Sequence, residues 1–261
     1  MADLPKHWKG ISWERMAREN PLFAVMSTRE MVDAPPDGFS PELLESFFAK
    51  GHKVFRKFMA APVSHSPDPR EEALVVEYGC GMGRILKAAA AAGYRTAGID
   101  ISPTMLEHCR RLVPEAEALY ALDETGRSAM PDGAASAVVS YAVVQHIASL
   151  KNYMAAIDEM CRVLKPGGTL AIQVNCKDFE DGDLANPGRT ENFEDHSLHY
   201  RPGEEVAYQS HGQNQWSGVY IGQELLRRRL KARGVKAGGW RYHNPQKPLA
   251  VWITGQKRPA A

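Results

Sequence analysis

The apolar run Leu74-Val75-Val76 enters three glycines at alternate positions, Gly79, Gly81 and Gly83, and the chain leaves through Ile85-Leu86-Lys87-Ala88-Ala89-Ala90. β-Branched residues favour a buried strand, alanine and leucine favour a helix, and glycines between them permit a tight turn. Lacking Cβ atoms, the glycines also let the backbone approach a ligand closely. The helix that follows points its unpaired N–H groups at whatever rests on the turn. This stretch therefore commits the chain to a strand–turn–helix unit with a ligand site at its tip. A dinucleotide fingerprint would read G-x-G-x-x-G. Here the spacing is Gly79-x-Gly81-x-Gly83, and Glu77 stands two residues before the first glycine. A carboxylate at that point is awkward for a pyrophosphate and suits a ligand carrying an ammonium group.

From Ala73 onward strand and helix alternate. Thr96–Ile101 reads as a second strand and Ser102-Pro103 as the capped start of a helix, with Glu117–Leu122 a third strand and Ala137–Val144 a fourth. Tyr153–Leu164 has a helical period. It stops at Lys165-Pro166-Gly167-Gly168 and turns into the strand Thr169–Val174. Residues 221–233 return to helix, and 238–243 and 249–255 read as closing strands. Such a βαβαβ succession predicts an α/β fold built on a doubly wound, mostly parallel sheet with helices on both faces and a ligand at the carboxyl ends of the strands.

Residues 1–70 read as an N-terminal helical extension. A helix is predicted over Ser12–Asn20 and a second from Ser40-Pro41 to about residue 60, with a break at Gly51 and a linker over Pro62–Pro69. Residues 71–261 form the core, and within it 178–218 has little periodicity and reads as an irregular insertion. At 261 residues the chain can bury a substantial core unaided. A net charge of +1 gives no sign of a nucleic-acid partner, and no segment reaches the roughly 20 apolar residues of a membrane span. Four unpaired cysteines and a polar N-terminus fit a cytoplasmic protein.

The pattern Glu77-x-Gly79-x-Gly81-x-Gly83 after an apolar strand resembles the first motif of the class I, Rossmann-like S-adenosylmethionine-dependent methyltransferases. Further stretches are similar to that family's motifs in the same order. They are Gly98-Ile99-Asp100-Ile101-Ser102, Asp123-Glu124, Ser140-Tyr141 with Val143-Val144-Gln145-His146, and Arg162–Gly168. The resemblance implies a seven-stranded sheet, S-adenosyl-L-methionine as cofactor, S-adenosyl-L-homocysteine as product, and methyl transfer to oxygen, nitrogen or carbon of a small-molecule acceptor. It places Glu77, Gly79, Cys80, Gly81, Gly83, Asp100, Ile101, Met105, Asp123, Glu124, Tyr141, Gln145 and His146 around the cofactor. Glu77 would take the methionine ammonium, Asp100 the ribose diol, and Asp123-Glu124 would lie near the adenine amino group.

The acceptor side is less defined. His146, just beyond the fourth strand, and His196 and His199 in the insertion are candidate bases, since imidazole titrates in the useful range. Trp8, Trp13, Tyr200, His211, Trp216 and Tyr220 are candidates for lining the acceptor pocket. The His196-x-x-His199 spacing is read as pocket lining, and no metal is expected. The extension over 1–70 is expected to close as a lid that excludes water. Two other readings stay open: a non-catalytic cofactor-binding protein on the same fold and a nicotinamide-dependent oxidoreductase.

Overall fold

The computed structural model describes residues 13–26, 28–31, 33–177, 190–192, 196–200, 206–211, 218–244 and 247–259, and for 177, 190–192, 196–200, 206–211, 240–244 and 247–250 the backbone alone. The extension holds α1 (Trp13–Glu19), α2 (Pro21–Val25), α3 (Pro41–Val54) and α4 (Ala60–Ser64). The core follows as β1 (Leu74–Tyr78), α5 (Arg84–Ala91), β2 (Arg95–Asp100), α6 (Pro103–Leu112), β3 (Ala118–Ala121), β4 (Ala135–Ser140), α7 (Leu150–Val163) and β5 (Leu164–Lys177). Then come β6 (Thr190–Asn192), β7 (His196–Tyr200), β8 (Val206–His211), β9 (Gly218–Gly222), α8 (Gln223–Ala232), β10 (Val235–Asn244) and β11 (Lys247–Lys257).

Five strands lie in the order β3-β2-β1-β4-β5, all parallel. β11 runs antiparallel beside β5, and β10 pairs with β11, which completes the predicted seven. The chain adds β2 and β3 on one side of β1 and then crosses to place β4 on the other. That reversal opens a crevice at the carboxyl ends of β1 and β4. Strand side chains alternate between faces. Val75, Val139 and Ala171 pack with Ile85, Ala88, Phe55 and Met59, whereas Val76, Val138 and Ile172 pack with Ile157, Met160, Leu226 and Leu230. Each of these buried Val, Ile, Leu, Met and Phe side chains contributes about 1.5–3 kcal/mol, and the alanines less.

Several predicted boundaries move. The closing helix expected from 221 begins at Gln223, because Ile221 and Gly222 belong to β9, and β5 begins at Leu164 and runs to Lys177. α3 does not break at Gly51, because the glycine is where α3 crosses α5. A Cβ there would stand 2.6 Å from Arg84 Cγ and 2.9 Å from the Arg84 carbonyl carbon. A π-helical turn over Phe55–Met59 joins α3 to α4, so helix extends to Ser64 into the predicted linker. β4 ends at Ser140 rather than Val144, since the chain turns sharply at Ala142 and closes a 3-10 turn over Val144–His146. The region expected to be irregular, 178–218, contributes β6, β7 and β8 and the start of β9, an antiparallel meander joined to the end of β5 through Cys176–Ile221 and Lys177–Gly222. Mixed polar and aromatic residues concealed that pairing, since period-2 alternation is weak in such strands.

Candidate functional site

A cavity of about 460 Å³ lies at the crevice. Its floor is the glycine turn. The N–H groups of Gly79 and Cys80 donate to the Ile99 carbonyl at 2.7 and 3.0 Å, which holds the turn against the end of β2. Gly79 and Gly81 have φ of +75° and +50°, the left-handed region that glycine enters without a Cβ penalty. A Cβ on Gly79 would also lie 2.6 Å from Val143 Cγ1, so the segment after β4 packs directly on the turn.

Two buried carboxylates border the cavity. Asp100 accepts from the Gly81 N–H at 2.8 Å and the Ser102 N–H at 2.9 Å, one on each oxygen. Each carboxylate oxygen has a second lone pair, so acceptor capacity remains. Burial pushes the Asp100 carboxyl above the usual range, against those backbone donors. Glu77 accepts from the Leu86 N–H at 3.1 Å, and burial raises its carboxyl well above the ordinary range. Both acids are poised to gain from a cationic or hydroxyl-bearing ligand, which would replace the hydration they have lost.

The roof comes from the extension. Trp13, Ala24, Val25 and Met26 line the cavity, and Trp13 lies 5.3 Å from the His146 ring, tilted by 59°. Glu14, one residue on, accepts from the Ser102 hydroxyl at 2.6 Å, the Thr104 hydroxyl at 2.6 Å and the Thr104 N–H at 3.2 Å. This anchors α1 to the first turn of α6. A Cβ on Gly81 would meet Val25 Cγ2 at 2.9 Å, so the second glycine makes room for the roof as well. The far wall is Tyr141, Ala142 and Val143 followed by Gln145, His146 and Ile147. Ala142 has φ of +57°, which costs about 1–2 kcal/mol for a residue with a Cβ, and its N–H donates to Gln173 Oε1 at 2.9 Å. β9 abuts this wall: a Cβ on Gly218 would strike the Gln145 carbonyl group.

Residues 76–172 match the methyltransferase domain family Methyltransf_11. This region is a class I methyltransferase domain. Solved structures share its fold: a methyltransferase from Listeria monocytogenes superposes with a TM-score of 0.53 at 18% identity, covering 80% of this chain and 99% of that one. A cofactor-bound amino pentose methyltransferase from Micromonospora echinaspora gives 0.51 at 16%, covering 85% and 99%. A tRNA (carboxymethyluridine(34)-5-O)-methyltransferase of Arabidopsis thaliana is 28% identical over 174 residues, 65% of this chain and 40% of that protein. Demethylmenaquinone methyltransferase of Tropheryma whipplei is 28% identical over 98 residues, 38% of this chain and 40% of that protein. The chain thus spans less than half the length of these curated relatives.

The relatives named for tRNA overturn the expectation of no nucleic-acid partner. A net charge near zero is a sum over the whole chain and does not exclude RNA. Among the described residues no helix is long and apolar enough to cross a membrane.

The methyltransferase domain's cavity brings together Glu77, Gly79, Cys80, Gly81, Asp100, Ile101, Met105, Tyr141, Gln145 and His146, with Trp13 from the roof. Gly83 is not part of the lining; it caps α5 against Val113 and Cys109. Asp123 and Glu124 are also outside it. Asp123 instead builds its own turn, accepting from the Thr125 and Arg127 N–H groups at 2.8 and 3.0 Å, and Leu122 takes the cavity position. Tyr220 is buried on β9, away from the lining. His196, His199, Tyr200 and His211 have backbone on β7 and β8, where His196 pairs with His211, and their side chains fall outside the described residues. Trp8 and Trp216 fall outside altogether. Sequence reasoning missed Arg84, Val25, Met26 and Ala142. The arginine directly after the third glycine was the one available signal.

S-adenosylmethionine is the cofactor of this domain family, and the residues present fit it. A cavity of about 460 Å³ falls within the range typical of small-molecule sites. Its buried acids match a ligand with an ammonium, a sulfonium and a ribose diol, and apolar Ile101, Met105 and Leu122 offer a surface for a flat ring.

Proposed function

We propose that the chain catalyses methyl transfer from S-adenosylmethionine to a slender nucleophilic group admitted beside Trp13 and His146. The observation that carries this reading is the placement of Glu77, Asp100 and the glycine turn in one cavity roofed by the chain's own N-terminal segment. The cofactor supplies a methyl group activated on a sulfonium. Asp100 holds the ribose, Glu77 the methionine ammonium, and Ile101, Met105 and Leu122 the adenine. Trp13 and Met26 exclude water, and the roof over residues 13–26 acts as the lid. His146 stands where a nucleophile's proton would leave, with Gln145 Nε2 at 3.0 Å from its Nε2.

A cavity of this size leaves little room beside the cofactor, so the acceptor inserts only a small group. A metabolite meets that limit, and so does a substituent on a tRNA nucleoside, which the tRNA-methylating relatives favour. The first test is calorimetric titration with S-adenosylmethionine, S-adenosylhomocysteine and NAD on the wild type and Asp100→Ala. Binding of the adenosyl ligands alone, weakened in the variant by about 1–3 kcal/mol, supports the reading; NAD binding in their place sinks it. Incubation with methyl-labelled cofactor and either tRNA or small metabolites then shows which fraction takes the label. A tightly bound cofactor with no labelled product in either would favour a binding protein over an enzyme.

A further inference from the structure

We propose that Arg84 is a carboxylate receptor inside this cavity, serving the amino-acid end of the cofactor or a carboxylate on the acceptor. The inference rests on the reading of the cavity as a methyl-transfer site. Arg84 is the first residue of α5, lines the cavity, and is 7% exposed. Among the described residues its Nε is buried with no hydrogen-bond partner, and no carboxylate pairs with its guanidinium. Glu77 lies near enough for its charge to be felt but makes no ion pair with it. A buried cation without an anion is strongly penalised, because it has given up its hydration for nothing. Such a group is retained where a ligand supplies the missing charge.

The surroundings are built for this residue. The guanidinium lies over the Phe47 ring at 5.7 Å and the Tyr141 ring at 5.5 Å from their centroids, which fixes its direction by cation–π attraction. Gly51 removes the Cβ that would collide with the Arg84 stem. The amino end of α5 adds a positive field at the same point. Guanidinium forks bind carboxylates through two parallel N–H donors, so an anion of that shape is the matching ligand. Glu77 beside it supplies the opposite charge, as an α-amino-acid zwitterion requires.

The test is calorimetry on the full chain with two matched pairs of probes. S-adenosylhomocysteine is compared with 5′-methylthioadenosine, which lacks the amino-acid end. With S-adenosylhomocysteine saturating, 5-carboxymethyluridine is compared with its amide. In Arg84→Met, which keeps the stem's packing, a loss of about 10- to 100-fold is expected for the carboxylate member of one pair, with its neutral partner unchanged. The first pair responding assigns the receptor to the cofactor, the second to the acceptor. Arg84→Lys should recover part of the loss. Equal losses for both members of a pair would mean packing alone, and unchanged affinity for both carboxylates would overturn the proposal. If Arg84→Met does not fold, the wild type still decides: failure to prefer the carboxylate in either pair overturns it. A wild type that binds no adenosyl ligand fails the methyl-transfer reading itself, which separates the two.

Discussion

The Ser102 hydroxyl donates to the Glu14 carboxylate at 2.6 Å, while the Ser102 N–H donates to Asp100 at 2.9 Å. One serine thus ties the N-terminal segment to an acid of the cavity. The same hydroxyl accepts from the Met105 N–H at 3.1 Å and caps α6. Opening of the roof therefore disturbs the helix that carries Met105 and the turn that holds Asp100.

Glu14→Ala removes the acceptor shared by Ser102 and Thr104. It is expected to cost about 1.5–3 kcal/mol, the scale for hydrogen bonds to a charged group, and to speed release of S-adenosylhomocysteine. Urea denaturation and stopped-flow dissociation measure the two effects. Against the raising effect of burial, bonds from Ser102, Thr104 and Arg18 hold the Glu14 carboxyl below its ordinary 4.5. A depressed folded value means that its stabilisation is present above pH 4.5 and fades as pH falls through the lowered value. Glu14→Gln should flatten that limb of the acid denaturation curve.

Glu77 and Asp100 carry the opposite sign. Burial raises both folded values above the ordinary 4.5 and 3.8. In the window from those values up to the raised ones the folded chain holds more protons than the unfolded chain, so these two acids lower stability as pH rises. A cationic ligand prefers them ionised. S-adenosylmethionine binding should release protons within that window and weaken as pH falls through it. Calorimetry in two buffers of different ionisation heat counts the protons; no release at any pH in the window would remove Glu77 from the ammonium's partners.

Gly51→Ala should destabilise the protein although alanine is the better helix former by about 1 kcal/mol. The added methyl meets Arg84 backbone, which cannot swing aside, and overpacking of this kind costs about 1–3 kcal/mol. Thermal denaturation checks the direction.

Tyr153→Phe should do the reverse. The Tyr153 hydroxyl is buried on α7 with no hydrogen-bond partner among the described residues, and burial pushes its phenol well above the ordinary range. Removing an unsatisfied polar atom from that site should raise stability by about 1 kcal/mol and leave cofactor affinity unchanged. A loss of stability would show that the hydroxyl is satisfied in solution.

The strand–helix alternation from Ala73 to Val174 was legible because β1, β4 and β5 carry β-branched runs and each turn carries glycine, proline or a serine cap; β3, Ala118-Leu119-Tyr120-Ala121, is the weakest of the strands in the sequence. The glycine turn and Asp100 could be placed for the same reason. What escaped the sequence depends on distant packing. Gly51 reads as a helix breaker until α5 is laid across it. Asp123 reads as a ligand group from the sequence, whereas in the structure it stands outside the cavity lining with its Oδ1 taken up by its own turn. Ala142 gives no local sign of a left-handed backbone, since its conformation is set by Gln173 and by Val143 packed on Gly79. The roof residues Val25 and Met26 are ordinary apolar side chains at the end of α2, a helix capped by Asn20 that follows directly on α1, which Glu14 anchors to Ser102 and Thr104.

β5 belongs to two structures at once. Its middle pairs with β4 and β11 in the seven-stranded sheet, and its last two residues pair with β9 at the base of the meander. Chain leaves the core at Lys177 and re-enters at Gly218, with β9 set against the Gln145 wall. The meander is therefore a graftable unit with two nearby attachment points. Exchanging it for another, with Gly218 kept, would alter what approaches the cavity while the strands that border it keep their register.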